Sequence, residues 1–178
     1  IPAAPGISTA MISSIFFEIA DLDGDGQKEL LFSGDWNGLR IFRKGGNSFE
    51  EFTPKGLEFA AGWIQAIRVA DVNGDGLLDI YLCRSGALQP EKRKNELFIN
   101  QGNDESGLPQ FKEMAEEYGL DSENTSTSAA FFDYDRDGDL DLFLLNHNIR
   151  SVQNQDPNLT KVLLRQKHES GSQLFENR

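Results

Sequence analysis

The sequence predicts an all-β protein made of repeated antiparallel units, and three observations carry that reading. Its apolar runs are short, rich in aromatic and β-branched residues, and bounded by Gly, Asp and Asn. Three acidic nine-residue loops, DLDGDGQKE from Asp21, DVNGDGLLD from Asp71 and DYDRDGDLD from Asp133, punctuate those runs. The same landmarks then recur in the same order around each loop, and internal repetition decides architecture before any single element does.

Taken along the chain, Ile15 to Ala20 reads as a strand leading into the first loop, and Leu30 to Phe32 as the strand leaving it. LRIF (39–42) and NSFEEF (47–52) complete a four-stranded unit. In the second unit the strands are Ile67 to Ala70, Ile80 to Leu82, ELFIN (96–100) and PQFKEM (109–114). In the third they are Ala129 to Phe132, Leu142 to Leu145 and QLFEN (173–177). KEMAEEY (112–118) reads as one helical turn ended by Gly119. The loops start 50 and then 62 residues apart, and Gly6-Ile7, Gly56-Leu57 and Gly119-Leu120 precede them by 14, 14 and 13 residues. Four-stranded units of that period are the pattern of β-propeller blades. The expected division is 1–14 as the end of a preceding blade or linker, 15–57 as blade 1, 58–120 as blade 2 and 121–178 as an incomplete blade 3. A closed propeller needs more blades than that, so a longer chain or other copies should supply them. The opening Ile1-Pro2, with no Met, predicts a processed or trimmed chain.

Each loop sets oxygen-bearing side chains at positions 1, 3, 5 and 9: Asp21, Asp23, Asp25 and Glu29; Asp71, Asn73, Asp75 and Asp79; Asp133, Asp135, Asp137 and Asp141. Position 6 is Gly, which supplies a sharp turn, and position 7 (Gln27, Leu77, Asp139) offers its backbone carbonyl. A calcium ion wants six to eight oxygens at about 2.3–2.6 Å, and alternate residues of a tight loop can present them. Three Ca2+ sites are therefore expected. An ordinary Asp-Gly hairpin turn accounts for one or two of these residues and leaves the acid at position 9 without a reason. An EF-hand would carry a bidentate Glu at position 12 between helices, but position 12 is Phe32, Leu82 and Leu144, flanked by strand-like runs.

The formal charge of −12 comes from 29 acids and 17 Lys plus Arg, and eleven of the acids sit at ligand positions. The remaining 18 acids against 17 bases are near neutrality, so the acidity belongs to the loops. Nothing in the sequence suggests nucleic acid, since no basic stripe interleaves with aromatics. No apolar run approaches a membrane span. Cys83, within IYLC, reads as a buried free thiol.

The loops resemble the FG-GAP or VCBS repeat of integrin α-type propellers. ADVNGDGLLDIYLCRSG, NELFINQGN and AAFFDYDRDGDLDLFLLNH resemble the subgroup of cartilage acidic protein and the bacterial ASPIC/UnbV proteins. The resemblance implies blades of a larger, seven-bladed propeller with a Ca2+ loop in the hairpin between strands 1 and 2 of each blade. Two departures stand out: Arg84-Ser85-Gly86 occupies the place of the Gly-Ala-Pro that names the repeat, and Glu29 replaces an Asp.

In a four-stranded meander the 2–3 loops leave the face opposite the acidic loops, and here they vary most. The span from first Asp to third-strand Phe is 21, 27 and 42 residues. Candidate ligand-face residues are Trp36, Asn37, Arg84, Arg93, His147 and Arg150, with Trp63 and Tyr118 as platforms in the adjoining loops. For most of them a packed or solvated role is the plainer expectation: Trp63 between blades, Lys92-Arg93-Lys94 in solvent, His147 capping a strand end. The leading expectation is an exported module (extracellular, periplasmic or cell-surface) whose calcium is structural and which binds or adheres to a protein or carbohydrate. The alternatives are a domain of a polysaccharide lyase or hydrolase, for which no catalytic constellation is visible, and a purely structural repeat.

Overall fold

The computed structural model describes residues 16–34, 38–58, 63–86, 92–147 and 171–177. Within them lie eleven strands: β1 (Phe16–Ala20), β2 (Glu29–Ser33), β3 (Leu39–Gly45), β4 (Ser48–Phe52), β5 (Ile64–Ala70), β6 (Asp79–Arg84), β7 (Glu96–Asn103), β8 (Pro109–Glu113), β9 (Ser126–Phe132), β10 (Asp141–Asn146) and β11 (Gln173–Phe175). They form three antiparallel sheets with strand orders β1-β2-β3-β4, β5-β6-β7-β8 and β9-β10-β11. This all-β arrangement of meanders fits propeller-blade-like packing.

The three sheets share one register. The residue before each acidic loop pairs with the acid at position 9: Ala20 with Glu29, Ala70 with Asp79, Phe132 with Asp141. The next residue pairs with a third-strand Phe: Leu30 with Phe42, Ile80 with Phe98, Leu142 with Phe175. A one-residue slip would turn every apolar side chain to the other face, so this repeated register reflects one packing scheme used three times.

That scheme stacks the sheets face to face. Leu31 and Ile41 of the first sheet meet Ile67, Ile80, Leu82 and Phe98 of the second. The opposite face of the second sheet sends Ala66, Tyr81, Cys83, Leu97 and Ile99 against Ala129, Leu142 and Leu144 of the third. Strand β6 is buried at all six residues because both its faces are covered, which is why it reads as an unbroken apolar run. Each fully buried Leu or Ile there contributes about 1.5–3 kcal/mol relative to exposure. The two end faces are open: Phe17 and Ile19 are 61% and 50% exposed on one, Phe143, Leu145 and Leu174 are exposed on the other. Cys83 is buried and free, and burial pushes its thiol up to about 12.

First strands lie side by side, β1 beside β5 and β5 beside β9. Arg68 of β5 ties them together. Its guanidinium donates to Ala129 O at 2.6 Å and Ser128 Oγ at 2.9 Å in the third sheet, and to Glu18 Oε1 at 3.2 Å in the first. Between the second and third sheets, Asn95 Nδ2 donates to Tyr81 Oη and Ser126 Oγ, and Ser126 Oγ donates to Asn146 Oδ1. Every member is buried or half-buried and partnered, as a buried polar network must be.

Several strands are longer than the apolar pattern indicates. β5 begins at Ile64, where Gln65 interrupts the apolar run, and β9 begins at Ser126, where Ser126, Thr127 and Ser128 continue the ladder without an apolar signature. The expected helical turn over 112–118 is shorter: Lys112 and Glu113 belong to β8, and the turn follows them. It is closed by Tyr118 N–H to Met114 O at 3.1 Å and Leu120 N–H to Ala115 O at 2.8 Å, with Gly119 at φ +68°.

Past β4 the chain crosses to the second sheet, where Phe111 N–H donates to Lys55 O at 2.8 Å. Gly56 makes this crossing possible. Its φ is +91°, and a Cβ there would lie 1.9 Å from Phe111 O. Gly56→Ala should destabilise the fold by at least about 2 kcal/mol and lower Tm by roughly 4–8 °C. Gly46→Ala, at φ +61° with open space around it, should cost less. Equal melting shifts for the two variants would show that the close approach does not matter.

Candidate metal loops

Each acidic loop joins the first two strands of its sheet. The three share their internal hydrogen bonds at positions 3, 5 and 9, whereas position 1 accepts the position-6 N–H in the first two loops and the position-4 N–H in the third. The position-1 carboxylate accepts loop N–H groups: Gly26 to Asp21 Oδ2 at 2.9 Å, Gly76 to Asp71 Oδ2 at 2.9 Å, Arg136 to Asp133 Oδ1 at 2.6 Å. Position 3 takes the N–H two residues on: Asp25 to Asp23, Asp75 to Asn73 and Asp137 to Asp135. Position 5 does likewise, from Gln27 to Asp25, Leu77 to Asp75 and Asp139 to Asp137. Short polar side chains that cap their own backbone in this way bend the loop around a common centre. Gly26, Gly76 and Gly138 at position 6 have φ of +86°, +87° and +99°.

Position 9 has a different task from the others. Glu29, Asp79 and Asp141 are 3%, 1% and 1% exposed, and each accepts the N–H of position 2: Leu22 at 2.8 Å, Val72 at 2.9 Å, Tyr134 at 2.6 Å. In the second sheet the other oxygen reaches the third strand, and in the third sheet it reaches the residues just past that strand. Asp79 Oδ1 accepts Asn100 N–H at 2.8 Å, and Asp141 Oδ1 accepts Asn177 N–H at 3.0 Å. These acids close the loop and anchor it to its own sheet. Burial raises the pKa of Glu29 and Asp79; around Glu29 the carboxylates of Asp23, Asp21 and Asp25 push the same way, and the Leu22 N–H opposes them.

Oxygens of Asp21, Asp23 and Glu29 come within 4.8 Å of one another, as do those of Asp133, Asp135 and Asp141, and both groups could hold a metal ion. Asp25 and Asp137 stand outside these two groups. In the second loop Asn73 occupies position 3, with Asp71 and Asp79 at positions 1 and 9. Two carboxylate oxygens, Asp21 Oδ1 and Asp139 Oδ1, are buried with no hydrogen-bond partner. A buried oxygen without a donor is costly unless a cation completes it. The all-oxygen donor set fits a hard divalent cation.

The loops differ locally. Position 4 is Gly24 at φ +74° and Gly74 at +73°, but Arg136 at +67° in the third loop. The third-strand place held by Asn100 and Asn177 is Lys44 in the first sheet, by the shared register. Lys44 and Arg43 line a cleft of about 280 Å3 beside Asp23, Asp25 and Glu29.

Of the candidate ligand-face residues, Arg84 lies within the second sheet. It is the last residue of β6 and 6% exposed, with its guanidinium paired to Glu96 (Nε to Oε2 at 2.9 Å). The Arg-Ser-Gly sequence resembles a turn, yet pairing with Ile64 carries the strand through Arg84. Arg93 is half-buried and donates to Glu123 O at 2.6 Å. Lys94 pairs with Asp121 at 2.8 Å. His147 is exposed just after β10, its N–H bonded to Thr125 O at 2.8 Å. Trp63 packs against Gly86, where a Cβ would come within 2.5 Å of the ring. Tyr118 is 40% exposed. Trp36, Asn37 and Arg150 lie outside the described residues.

Sequence reasoning passed over Arg68 and the amides of Asn95 and Asn100. The available signal for Arg68 was a charged residue inside an apolar strand (AIRVA), which demands buried partners. For Asn100 it was the shared Asn that ends ELFIN and QLFEN.

A left-handed Arg carries a backbone cost of about 1–2 kcal/mol. Arg136→Gly should therefore stabilise the third loop by about 1 kcal/mol and raise Tm by a few degrees in thermal melts. An unchanged or lower Tm would show that Arg136 makes compensating contacts.

No curated protein matches the chain. Residues 21–82 match the family model of the FG-GAP-like repeat, from the first Asp of the first loop to the middle of β6, and this supports the FG-GAP family for that part of the chain.

Proposed function

We propose that this chain is a calcium-binding β-propeller module of an exported protein, with calcium as a structural ion and with a protein or carbohydrate as its ligand. The observation that carries the proposal is the repetition of one acidic loop in three hairpins, with carboxylates that converge in the first and third and with one oxygen of the first set, Asp21 Oδ1, buried without a partner. Asp21, Asp23, Asp25, Glu29 and the carbonyl of Gln27 would hold the first ion. Asp71, Asn73, Asp75, Asp79 and the carbonyl of Leu77 would hold the second, and Asp133, Asp135, Asp137, Asp141 and the carbonyl of Asp139 the third. The ion would supply charge neutralisation: two carboxylates 4 Å apart repel by about 4 kcal/mol at an effective dielectric of 20. Six to eight protein and water oxygens saturate calcium, which suits a structural role.

Export is part of the proposal, because weak extracellular calcium modules operate at about 10⁻⁴–10⁻³ M ion. Units 15–57, 58–120 and 121–178 serve as successive blades, and the apolar end faces at Phe17 and Ile19 and at Phe143, Leu145 and Leu174 seat further blades or other copies. The ligand surface is built on the 2–3 loops, with Trp36, Asn37, Arg93, His147 and Arg150 as its candidates. A likeness to the cartilage acidic protein and ASPIC/UnbV subgroup is part of this proposal.

A calcium titration followed by calorimetry tests the metal. At 100 times its dissociation constant one site adds about 2.7 kcal/mol, so calcium should raise Tm by roughly 5–10 °C per site, a chelator should reverse it, and magnesium should not substitute. Melting indifferent to both calcium and chelator would overturn the metal reading. A glycan and protein array probed in calcium tests the ligand: selective capture without turnover supports the binding module, whereas product release points to an enzyme.

A further inference from the structure

The first two loops belong to different sheets, yet an unbroken run of buried hydrogen bonds joins them. Leu22 N–H donates to Glu29 Oε2 at 2.8 Å, closing the first loop. Leu22 O accepts Asn100 Nδ2 at 2.9 Å, across the boundary between sheets. Asn100 N–H donates to Asp79 Oδ1 at 2.8 Å, and Asp79 Oδ2 accepts Val72 N–H at 2.9 Å, closing the second loop. The same Asn100 amide donates to Leu78 O at 3.2 Å, and its oxygen accepts Gly102 N–H at 2.9 Å. Asn100 is 2% exposed and fully partnered, so its side chain has one place to be. Asn103 adds a separate tie to the first loop, from Nδ2 to Asp23 O at 2.7 Å.

We propose that Asn100 is a positioning residue that couples the first two metal loops, so that calcium in the second loop raises the affinity of the first. The inference rests on the calcium reading of the loops. Ordering the second loop fixes Leu78 and Asp79, these two fix Asn100, and Asn100 holds Leu22 O where the first loop needs it. When the second loop is loose, the clamp on Leu22 loosens with it. The coupling is reciprocal, since a free energy shared between two sites acts equally on both. A buried amide that bonds to both loops at once is the kind of contiguous contact through which two sites influence each other.

The two loops carry built-in reporters: Gly26 N–H donates to Asp21 and Gly76 N–H to Asp71, so each amide resonance follows its own loop. Calcium titration of the 15N-labelled full chain should give separate midpoints for Gly26 and Gly76. Asp75→Ala disables the second loop at an exposed side chain and leaves the core untouched. It should raise the calcium midpoint at Gly26 by about fivefold or more, the lower end of typical coupling. In an Asn100→Ala background, Asp75→Ala should shift Gly26 no further, whereas Asn103→Ala should weaken the first loop and leave its dependence on Asp75 intact.

Should Gly26 titrate identically in the wild type and in Asp75→Ala, the coupling is refuted while the metal reading stands. That arm needs no substitution in the core, so a null result there overturns the proposal even if Asn100→Ala fails to fold. If the shift persists undiminished without the Asn100 amide, the coupling runs by another route and Asn100 loses its role. If neither glycine responds to calcium, the metal reading itself falls and takes the coupling with it.

Discussion

The structure depends on three buried carboxylates, Glu29, Asp79 and Asp141, each at the base of a hairpin. A carboxylate that is nearly inaccessible to water must be compensated by donors, and the protein supplies backbone N–H groups from position 2 of the loop. In the second sheet it adds an N–H from the third strand, and in the third sheet one from just past that strand. One side chain thus fixes the turn, the start of the second strand and the seat of the third. The shared register follows, because the acid always faces the residue before the loop and its successor always faces the third-strand Phe. In the first and third loops the acids at positions 1 and 3 are then held with oxygens close to that of position 9.

Much of this was legible in the residues. Alternation of acid and Gly over nine positions located every loop, and the short β-branched and aromatic runs located the strands beside them. The landmark Phe residues of LRIF, ELFIN and QLFEN do occupy equivalent ladder positions. The special role of position 9 was half visible: an acid there exceeded what a turn requires, but its burial follows from a third strand 21 residues away in the case of Asp79 and Asn100. Arg84 was expected in the loop after the second strand, while its place at the end of β6 is set across the sheet by Ile64, Asn95 and Glu96. Asn100 was hidden for the same reason, since its amide meets Leu22 O, 78 residues earlier. Local chemistry names the loop; only non-local pairing says which oxygens face inward and which polar residues lie between sheets.

Apolar and polar contacts divide the labour between neighbouring sheets. The apolar faces supply most of the attraction, but they are non-directional, and Leu or Ile surfaces slide at little cost. Arg68, Asn95 and Asn100 act at the same boundaries with fixed geometry: Arg68 where the first strands meet, Asn95 where β6 and β7 face β9, and Asn100 beneath the loops. A sheet that slid or rotated against its neighbour would strand a half-buried guanidinium or a buried amide, each expensive to leave unpaired. These residues therefore set the angle and height at which one sheet sits on the next.

The same division explains why the loops cannot be considered apart from the core. A loop crowded with carboxylates is held together by its own backbone only weakly, since repulsion among the acids works against every internal hydrogen bond. What steadies its base is the adjacent sheet, through Leu22 and Val72, whose side chains are buried in the two cores while their N–H groups serve Glu29 and Asp79. Position 2 is thus a hinge between two kinds of chemistry, apolar outside its backbone bond and electrostatic across it. Packing defects far from the acids would reach the loops through these two residues, and loss of order in the loops would reach the cores by the same path. The stability of the stack and the order of its loops are two readings of one set of contacts.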